Sequence, residues 1–335
     1  MQAAEAGVAE ATTPVKLTVG SPVDFSKLKG KNVWFLSVTQ ALPLVAEISK
    51  GFEAAAKEAG LTPHIYDGKG DVNTFNQGMQ TAISQGAEGI VVQAIDPSVI
   101  SANLAKAKAA GIPVIDSFNT SPDGALPPGI DAHVTLDFVR DGNVMADYIL
   151  EQTNCEANVQ AFGSTIFQVQ KDINTGVEEK LKELCTECKY AFENVDLTQL
   201  ATAATPAAST AINRNPQLNF MIADSDAIGP YMATAIEESH KEIPIIGHDG
   251  VNSNLEEIRE GKPQEADFAF PPNETIGWAE IDQLGRVMLG MEPTEADNIP
   301  SQMFDRETLP PHNSEMFPGY ANYQAKYAKI WGVGG

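Results

Sequence analysis

Short apolar segments alternate along this chain with longer segments whose apolar residues recur every three or four positions. In the first half, the apolar segments have the length of strands and the longer ones have helical spacing. Strands are predicted over 31–38, 62–67, 89–94 and 112–117, and helices over 44–59, 73–85 and 97–110. Nearly continuous apolar strands separated by helices are typical of a parallel sheet that helices cover on both faces.

The alternation starts again after a loop at 121–131 that is rich in proline and glycine. The second set contains predicted strands over 133–137, 158–163, 189–195, 217–224, 243–249 and 267–270, and predicted helices over 141–151, 172–184, 198–214, 228–240 and 273–290. This pattern predicts an α/β fold of two Rossmann-like, doubly wound lobes. The length of 335 residues agrees with about two domains.

Domain boundaries follow from the same pattern. We expect an N-terminal lobe at 31–133 plus 272–297 and a C-terminal lobe at 134–271 plus 298–335, joined by a multi-strand hinge. Residues 1–30 are predicted to be a disordered leader. Their first part, Met1–Val15, lacks the basic and apolar regions of a signal peptide and fits a spacer left after a signal or lipid anchor is removed. A periplasmic or otherwise extracytoplasmic location is the corresponding expectation.

Charge excludes several classes of partner. The chain has 22 basic and 45 acidic residues, a formal net charge of −23, which repels nucleic-acid phosphates and anionic lipid head groups. No apolar run reaches the roughly 18 residues that span a bilayer. We therefore expect no nucleic acid as a partner. The expected partner is a small molecule, and the expected oligomeric state is a monomer.

Three cysteines, Cys155, Cys185 and Cys188, lie near the middle of the chain. The spacing of Cys185 and Cys188 is that of a redox motif or half a zinc site, but no second pair with this spacing is present. In an exported protein a disulfide is the favoured interpretation. It leaves one cysteine to remain a thiol or to pair elsewhere, and we expect no metal and no cofactor.

Polar residues near the predicted carboxyl ends of the strands are the candidates for a binding site. Ligands of open parallel sheets bind beyond this edge, and carboxylates and amides suit hydroxyl groups because they accept or exchange several hydrogen bonds. The candidate ligand-binding residues are Thr39, Gln40, Gln93, Asp116, Ser117, Phe118, Asp137, Gln168, Gln170, Asp224, Ser225, Asp249 and Phe270. Asp96 and Asp226 precede predicted helices, and N-capping is their simpler role.

Enzymatic motifs are missing. The sequence has no GxGxxG after a strand, no GxxxxGK[ST], no GxSxG and no HExxH. Ser225 has no identified histidine base, and a glycosidase-like pair of aspartates has no second supporting signal. The chain is therefore predicted not to be an enzyme, and it has no candidate catalytic residue.

Five segments, in this order and spacing, resemble the type I periplasmic solute-binding proteins of ABC importers, the class of the ribose- and galactose-binding proteins. They are GFEAAAKEAG at 51–60, QGAEGIVVQAIDP at 85–97, AGIPVID at 110–116, ADSDAIG at 223–229 and IIGHDG at 245–250. The resemblance implies two lobes joined by three crossovers, a ligand between them and a membrane permease as partner. It also implies hydroxyl contacts from Asp116 and Asp249 and polar contacts at the positions of Gln93, Ser225 and Phe270.

Two departures from the ribose-binding pattern affect the choice of ligand. Leu44 and Val45 stand where that pattern has aromatic residues, and Ile173 stands where it has a ligand-binding arginine. Loss of the guanidinium disfavours an anionic ligand. The chain is thus predicted to capture a small polar solute, a sugar or polyol in the first place, by hinge closure.

Three alternatives remain open. The chain could be a periplasmic receptor that passes its ligand state to a sensory system, or a binding protein for an amino acid, a nucleoside or an autoinducer. A hydrolase that uses facing carboxylates is the third, and a turnover assay would reveal it.

Overall fold

The computed structural model describes residues 2–196, 199–312 and 314–333. The strands are β1 (Asn32–Ser37), β2 (Thr62–Asp67), β3 (Gly89–Gln93), β4 (Val114–Ser117), β5 (Ala132–Val134), β6 (Asn158–Gly163), β7 (Lys189–Asn194), β8 (Phe220–Ala223), β9 (Ile245–Asp249), β10 (Gln264–Ala269) and β11 (Gln302–Asp305). The α-helices are α1 (Gln2–Ala11), α2 (Pro43–Glu58), α3 (Val72–Ser84), α4 (Ser101–Ala109), α5 (Phe138–Gln152), α6 (Gln168–Leu184), α7 (Leu200–Arg214), α8 (Gly229–Ser239), α9 (Asn252–Glu260), α10 (Glu274–Met288) and α11 (Tyr323–Trp331).

The chain divides into two compact units. Unit A comprises residues 16–136, 271–300 and 317–335, and unit B comprises residues 1–15, 137–270 and 301–316. This division differs from the predicted boundaries at both ends of the chain, because residues 1–15 belong to unit B and residues 317–335 belong to unit A.

Unit A is built on a five-stranded sheet in the order β2-β1-β3-β4-β5, with every pair parallel. The central strands β1, β3 and β4 are almost entirely buried, as their apolar composition predicts. Helix α10 packs against α2, β3, β4 and β5. Gly51 of α2 allows the close approach of the two helices, since a Cβ atom there would lie 2.0 Å from the carbonyl oxygen of Glu274.

Unit B repeats this arrangement on a six-stranded sheet in the order β11-β10-β9-β8-β6-β7. The five parallel strands follow the same pattern as unit A, with the first strand of the unit between the second and the third. The sixth strand, β11, is antiparallel to β10. Two parallel sheets with the same winding confirm the predicted fold class of two Rossmann-like, doubly wound lobes.

The predicted disordered leader contains an ordered helix. Residues Gln2–Ala11 form α1, which packs against α5 and buries Ala4 and Ala11. Alanine has the highest helix propensity of all residues, and this segment has five. Gly7 lets the helix approach α5, because a Cβ atom there would lie 2.3 Å from the carboxylate of Asp147.

The C-terminal helix α11 joins unit A through stacked aromatic rings. Trp331 lies between Phe25 and Trp278, with ring centroids 5.1 and 5.3 Å away and interplanar angles of 7° and 5°. Its indole Nε1 donates to Asp282 Oδ1 at 2.6 Å. Asp282 is also paired with the buried Arg286. These contacts assign to unit A a segment that the sequence placed in the C-terminal lobe.

Two of the three cysteines form the disulfide that the sequence analysis favoured. Cys185 and Cys188 form a disulfide in the turn between α6 and β7, and the backbone carbonyl oxygen of Cys155 lies 3.2 Å from Cys185 Sγ.

Thr198, the predicted start of a helix, is outside the described residues, and the helix is described from Leu200. Within the described parts of the chain, no helix combines the length and the apolar character needed to cross a bilayer.

Candidate functional site

Asp249 ends β9 at the carboxyl edge of the unit B sheet. Its Oδ2 accepts hydrogen bonds from Ser225 Oγ at 2.8 Å and from the Asp226 amide at 3.2 Å. Its backbone φ of 133° is rare for a residue with a side chain, and the two bonds tie its Oδ2 to the loop after β8. The side chain is 11% exposed, so Asp249 is nearly buried and still reaches solvent.

Asp224 follows β8, the neighbouring strand, and is almost fully buried. One carboxyl oxygen accepts from the Asn174 amide, which in turn accepts from the Tyr190 hydroxyl. The other oxygen, Oδ1, has no hydrogen-bond partner among the described residues. Burial raises the pKa of Asp224 to about 8, and the Asn174 bond offsets only part of that effect. Near pH 7 this carboxyl group is therefore mainly protonated and has an O–H group to donate.

His248 lies directly before Asp249 and is fully buried. Its Nδ1 is 3.4 Å from Asp249 Oδ1, and its Nε2 is 3.3 Å from Asp141 Oδ2 on α5. Burial disfavours the charged imidazole, but hydrogen bonds and charge from the two carboxylates outweigh burial and raise the pKa of His248 to about 9. His248 is thus an imidazolium held between two carboxylates.

The other candidates in unit B have local roles. Asp137 is exposed and caps α5 by accepting from the Arg140 amide at 2.9 Å. Gln168 Nε2 donates to Asp172 Oδ1 on the same helix at 2.7 Å, and the side-chain Oε1 of Gln170 accepts from the Ser164 backbone amide. Phe270 is buried and packs edge-on against His248 with ring centroids 5.2 Å apart.

In unit A, Gln93 and Ser117 end neighbouring strands and are paired in register. Their side chains therefore project from the same face of the sheet, the face near Glu280 of α10. All three side chains are buried, and Gln93 Oε1, Ser117 Oγ and both carboxyl oxygens of Glu280 have no hydrogen-bond partner among the described residues. This polar group combines two predicted residues with one that the sequence analysis did not select.

Asp116 projects from the opposite face, one residue before Ser117. It accepts from the backbone amide and side-chain amide of Asn119, at 3.2 and 2.7 Å, and from Thr120 Oγ1 at 3.2 Å. Burial raises its pKa to about 6 despite these bonds. Its oxygens hold the loop after β4, in which Phe118 is buried with a φ of 71°.

Thr39 and Gln40 follow β1 and are half-buried. The side-chain Nε2 of Gln40 donates to Ser37 Oγ at 2.8 Å, and its side-chain Oε1 accepts from Ser49 Oγ at 2.9 Å. Thr39 Oγ1 accepts from the Ala41 amide. Both side chains thus stabilise the connection between β1 and α2.

Replacing Glu280 with glutamine is expected to stabilise the protein increasingly as the pH rises from 5 to 8. Burial raises the pKa of Glu280 to about 8, offset only in part by the nearby Ser117 hydroxyl. In the unfolded chain this carboxyl group has a pKa of about 4.5, so above that pH the unfolded chain loses the proton while the folded chain keeps it. The free energy of unfolding therefore falls as the pH rises toward 8. E280Q removes this loss and should gain on the order of 2–4 kcal/mol over the wild type between pH 5 and pH 8.

Denaturant unfolding at both pH values measures this difference. All three tryptophans, Trp34, Trp278 and Trp331, belong to unit A, so intrinsic fluorescence follows the unit that contains Glu280. Glu58→Gln, at an exposed position of α2, is the matched control and should show no such gain. Equal wild-type and E280Q stabilities at both pH values would contradict the prediction.

Sequence reasoning missed Glu280, Asp141 and Asn174 because it examined strand ends and these residues lie within helices. A signal was present for one of them. Glu280 is four residues after Ile276 and four before Leu284, so it lies on the apolar face of α10. An acidic side chain on that face is shielded from solvent. Asp141 and Asn174 lie near helix starts and carry no comparable signal.

Comparison with known proteins agrees with this architecture. A model of the periplasmic binding protein domain family matches residues 34–290. The ribose import binding protein RbsB of Bacillus subtilis is 22% identical over 224 residues, which cover 66% of this chain and 70% of that protein. The ABC transporter periplasmic-binding protein YphF of Escherichia coli is 23% identical over 225 residues, covering 64% of this chain and 67% of that protein.

Solved structures show the same fold. An ABC sugar transporter subunit from Rhodobacter sphaeroides has a TM-score of 0.75 at 19% identity, covering 84% of this chain and 99% of that chain. A solute-binding protein from Agrobacterium vitis, solved with bound allitol, has a TM-score of 0.75 at 20% identity, covering 84% and 97%. The match of the family model over most of the chain, together with the two doubly wound units, places this protein in the periplasmic binding protein domain family.

Proposed function

We propose that this protein is the solute-binding subunit of an ABC importer and that it captures a neutral sugar or polyol. One observation carries the proposal. At the carboxyl edge of the unit B sheet, Asp249 ends β9 and Asp224 directly follows β8, and each retains hydrogen-bonding capacity that no described residue uses. Ligands of open parallel α/β sheets bind beyond the carboxyl ends of the strands, which is where both residues lie.

The hydrogen-bonding capacity of the two carboxyl groups favours a hydroxyl ligand. Asp249 uses Oδ2 for Ser225 and Asp226 and Oδ1 for His248, which leaves one lone pair of Oδ1 as an acceptor. Asp224, mainly protonated near pH 7, supplies a donor. A hydroxyl group both donates and accepts and therefore matches this pair, whereas a carboxylate ligand would meet the negative charge of Asp249.

The ligands of the relatives support the same class. The Bacillus subtilis relative is named for ribose import, and structural neighbours were solved with bound allitol, glycerol, tagatopyranose and allose. All five compounds are neutral and hydroxylated. We extend this class to the present chain as part of the proposal.

The remaining parts of the proposal concern its setting. We infer a periplasmic or extracytoplasmic location, a membrane permease as partner, a monomer without cofactor, and capture of the solute by closure of the two units without chemical conversion. Seven of the predicted contacts remain our proposed binding residues: Gln93, Ser117, Phe118, Asp224, Ser225, Asp249 and Phe270. Asp116, Thr39, Gln40, Asp137, Gln168 and Gln170 are proposed instead to shape the loops around them, because their side chains bond to those loops and helices.

A thermal-shift screen tests the function. Pentoses, hexoses, polyols, amino acids and nucleosides are each added to the purified protein, and calorimetric titration follows for compounds that shift the melting temperature. A solute at ~100 times its dissociation constant adds about 2.7 kcal/mol of stability, which such a screen detects. We expect sugars or polyols to be the active class. Stabilisation by amino acids or nucleosides alone would contradict the proposed class, and turnover of a bound sugar would favour a hydrolase.

A further inference from the structure

We propose that His248 is a positioning residue for solute binding: its imidazolium fixes the Asp249 carboxylate in the orientation that receives the solute. The inference rests on the proposed function, because it assumes that Asp249 contacts the solute. It goes further by assigning a role to a buried charge that does not itself reach the solute.

The surroundings of His248 make a buried cation there unusual. Its ring is packed among Phe138, Phe268 and Phe270, with centroid distances of 5.8, 6.0 and 5.2 Å. Phe268 is its register partner on β10. An aromatic environment of this kind suits a phenyl ring, so packing alone does not require a histidine. The contacts of Nδ1 with Asp249 and of Nε2 with Asp141 do require an imidazole, because a phenyl ring has no nitrogen atoms to make them.

The contact with Asp141 anchors the ring to α5. Asp141 is fully buried and receives Ser301 Oγ at 2.6 Å and Arg140 Nη1 at 3.2 Å on its Oδ1. Its Oδ2 is left to face His248 Nε2 at 3.3 Å. Because Ser301 and Arg140 hold Asp141, the imidazole is fixed at one end and presents Nδ1 to Asp249 at the other.

The charges around this group balance only if the imidazole is protonated. From α5 it faces Asp141, with Arg140 beyond that carboxylate, and from its own strand it faces Asp249. Asp224, after β8, is close enough for the imidazolium to lower its pKa, although burial raises the pKa of Asp224 more. A neutral imidazole has one N–H and would leave one of the two carboxylates without its hydrogen bond.

Loss of the imidazolium should therefore weaken solute binding without removing any solute contact. His248→Gln retains one donor and no charge, and His248→Phe retains the aromatic packing and no donor. His312→Gln is the matched control, because His312 is 71% exposed in the same unit and, among the described residues, forms its ion pair with Glu256 at the surface.

The first arm of the experiment uses no solute. Imidazole resonances of wild type, D249N and D141N are followed by NMR from pH 5 to pH 10, with His248 assigned by its absence in H248Q. We expect His248 to remain protonated beyond pH 8 in the wild type and to titrate at least one pH unit lower in D249N. A midpoint at or below that of a free histidine, about 6.5, would overturn the proposal.

The second arm measures dissociation constants at pH 7 and pH 9.5, with D-ribose and allitol as the first probes, followed by the strongest stabiliser from the screen. We expect H248Q and H248F to bind at least tenfold more weakly than wild type at pH 7, while the wild type loses affinity at pH 9.5 and the variants do not. H248Q retains Asp224, so the difference between the two pH profiles isolates His248.

Affinity of H248Q within twofold of wild type at pH 7 would overturn the proposal. If no compound binds the wild type, it is the proposed solute-binding function that has failed, and the NMR arm still decides whether the imidazolium holds Asp249. The two failures are therefore distinguishable.

Discussion

Replacement of Asp249 with alanine is expected to weaken solute binding by roughly 30- to 5,000-fold, the equivalent of about 2–5 kcal/mol. The substitution removes the proposed hydroxyl acceptor and also the group that Ser225, the Asp226 amide and His248 share. Calorimetric titration with the solute identified by the screen measures the loss.

Two variants make this result interpretable. Asp249→Asn keeps the shape and one acceptor oxygen, and we expect it to retain part of the affinity that the alanine variant loses. Glu238→Ala removes an exposed carboxylate from α8 of the same unit and should bind as wild type does. If Asp249→Ala binds the solute with wild-type affinity and melts normally, Asp249 is not a contact.

Replacement of Trp331 with alanine is expected to lower the free energy of unfolding by about 3–5 kcal/mol, the usual cost of deleting a large buried aromatic side chain. Trp331 is fully buried between Phe25 and Trp278. Its loss opens a cavity between two rings and removes the donor to Asp282. Denaturant unfolding followed by the fluorescence of Trp34 and Trp278 measures the change in unit A.

The conservative variant separates packing from hydrogen bonding at this position. Trp331→Phe keeps a six-membered ring for stacking but loses the Nε1 donor and the volume of the five-membered ring, so it should cost about 1–2 kcal/mol less than alanine. Lys329→Ala, at an exposed position of the same helix, serves as the control. A Trp331→Ala protein as stable as the control would show that α11 contributes little to unit A.

The strands were predictable because burial on both faces leaves a direct mark on sequence. The predicted strands at 89–94 and 158–163 match β3 and β6, in which every residue is buried. Helix α9 was not predicted, because only Leu255 and Ile258 of its nine residues are large apolar side chains. Strand β11 was missed as well, since an antiparallel edge strand of four residues carries too little periodicity to distinguish it from a loop.

Side-chain roles were predictable only where the partner is local. Asp96 does cap the following turn by accepting from the Ser98 amide at 2.8 Å, as the sequence predicted. The same reasoning was wrong for Asp226, whose Oδ2 accepts from the Val251 amide at 2.7 Å while α8 has no side-chain cap. The two residues look alike in sequence. The partner of Asp226 is 25 positions away, and only the folded sheet brings it near.

Site chemistry shows the same limit. Asp116 and Ser117 are adjacent and both end β4, yet their side chains lie on opposite faces, so one closes a loop while the other joins Gln93 and Glu280. The charged state of His248 depends on Asp141, which is 107 positions earlier. Sequence identified the sheet edge where the candidates gather, but not which of their atoms remain available.

The interleaving of the two units governs the order in which a growing chain can fold. Helix α1 precedes most of unit B in the chain, but strand β11 of the same unit is not available until residue 305, and α11 of the other unit ends at Trp331. Domains generally fold as units while synthesis proceeds, but here both units include segments that follow residue 270. Neither unit can therefore complete its core well before the other, and the two should reach their final packing close together in time.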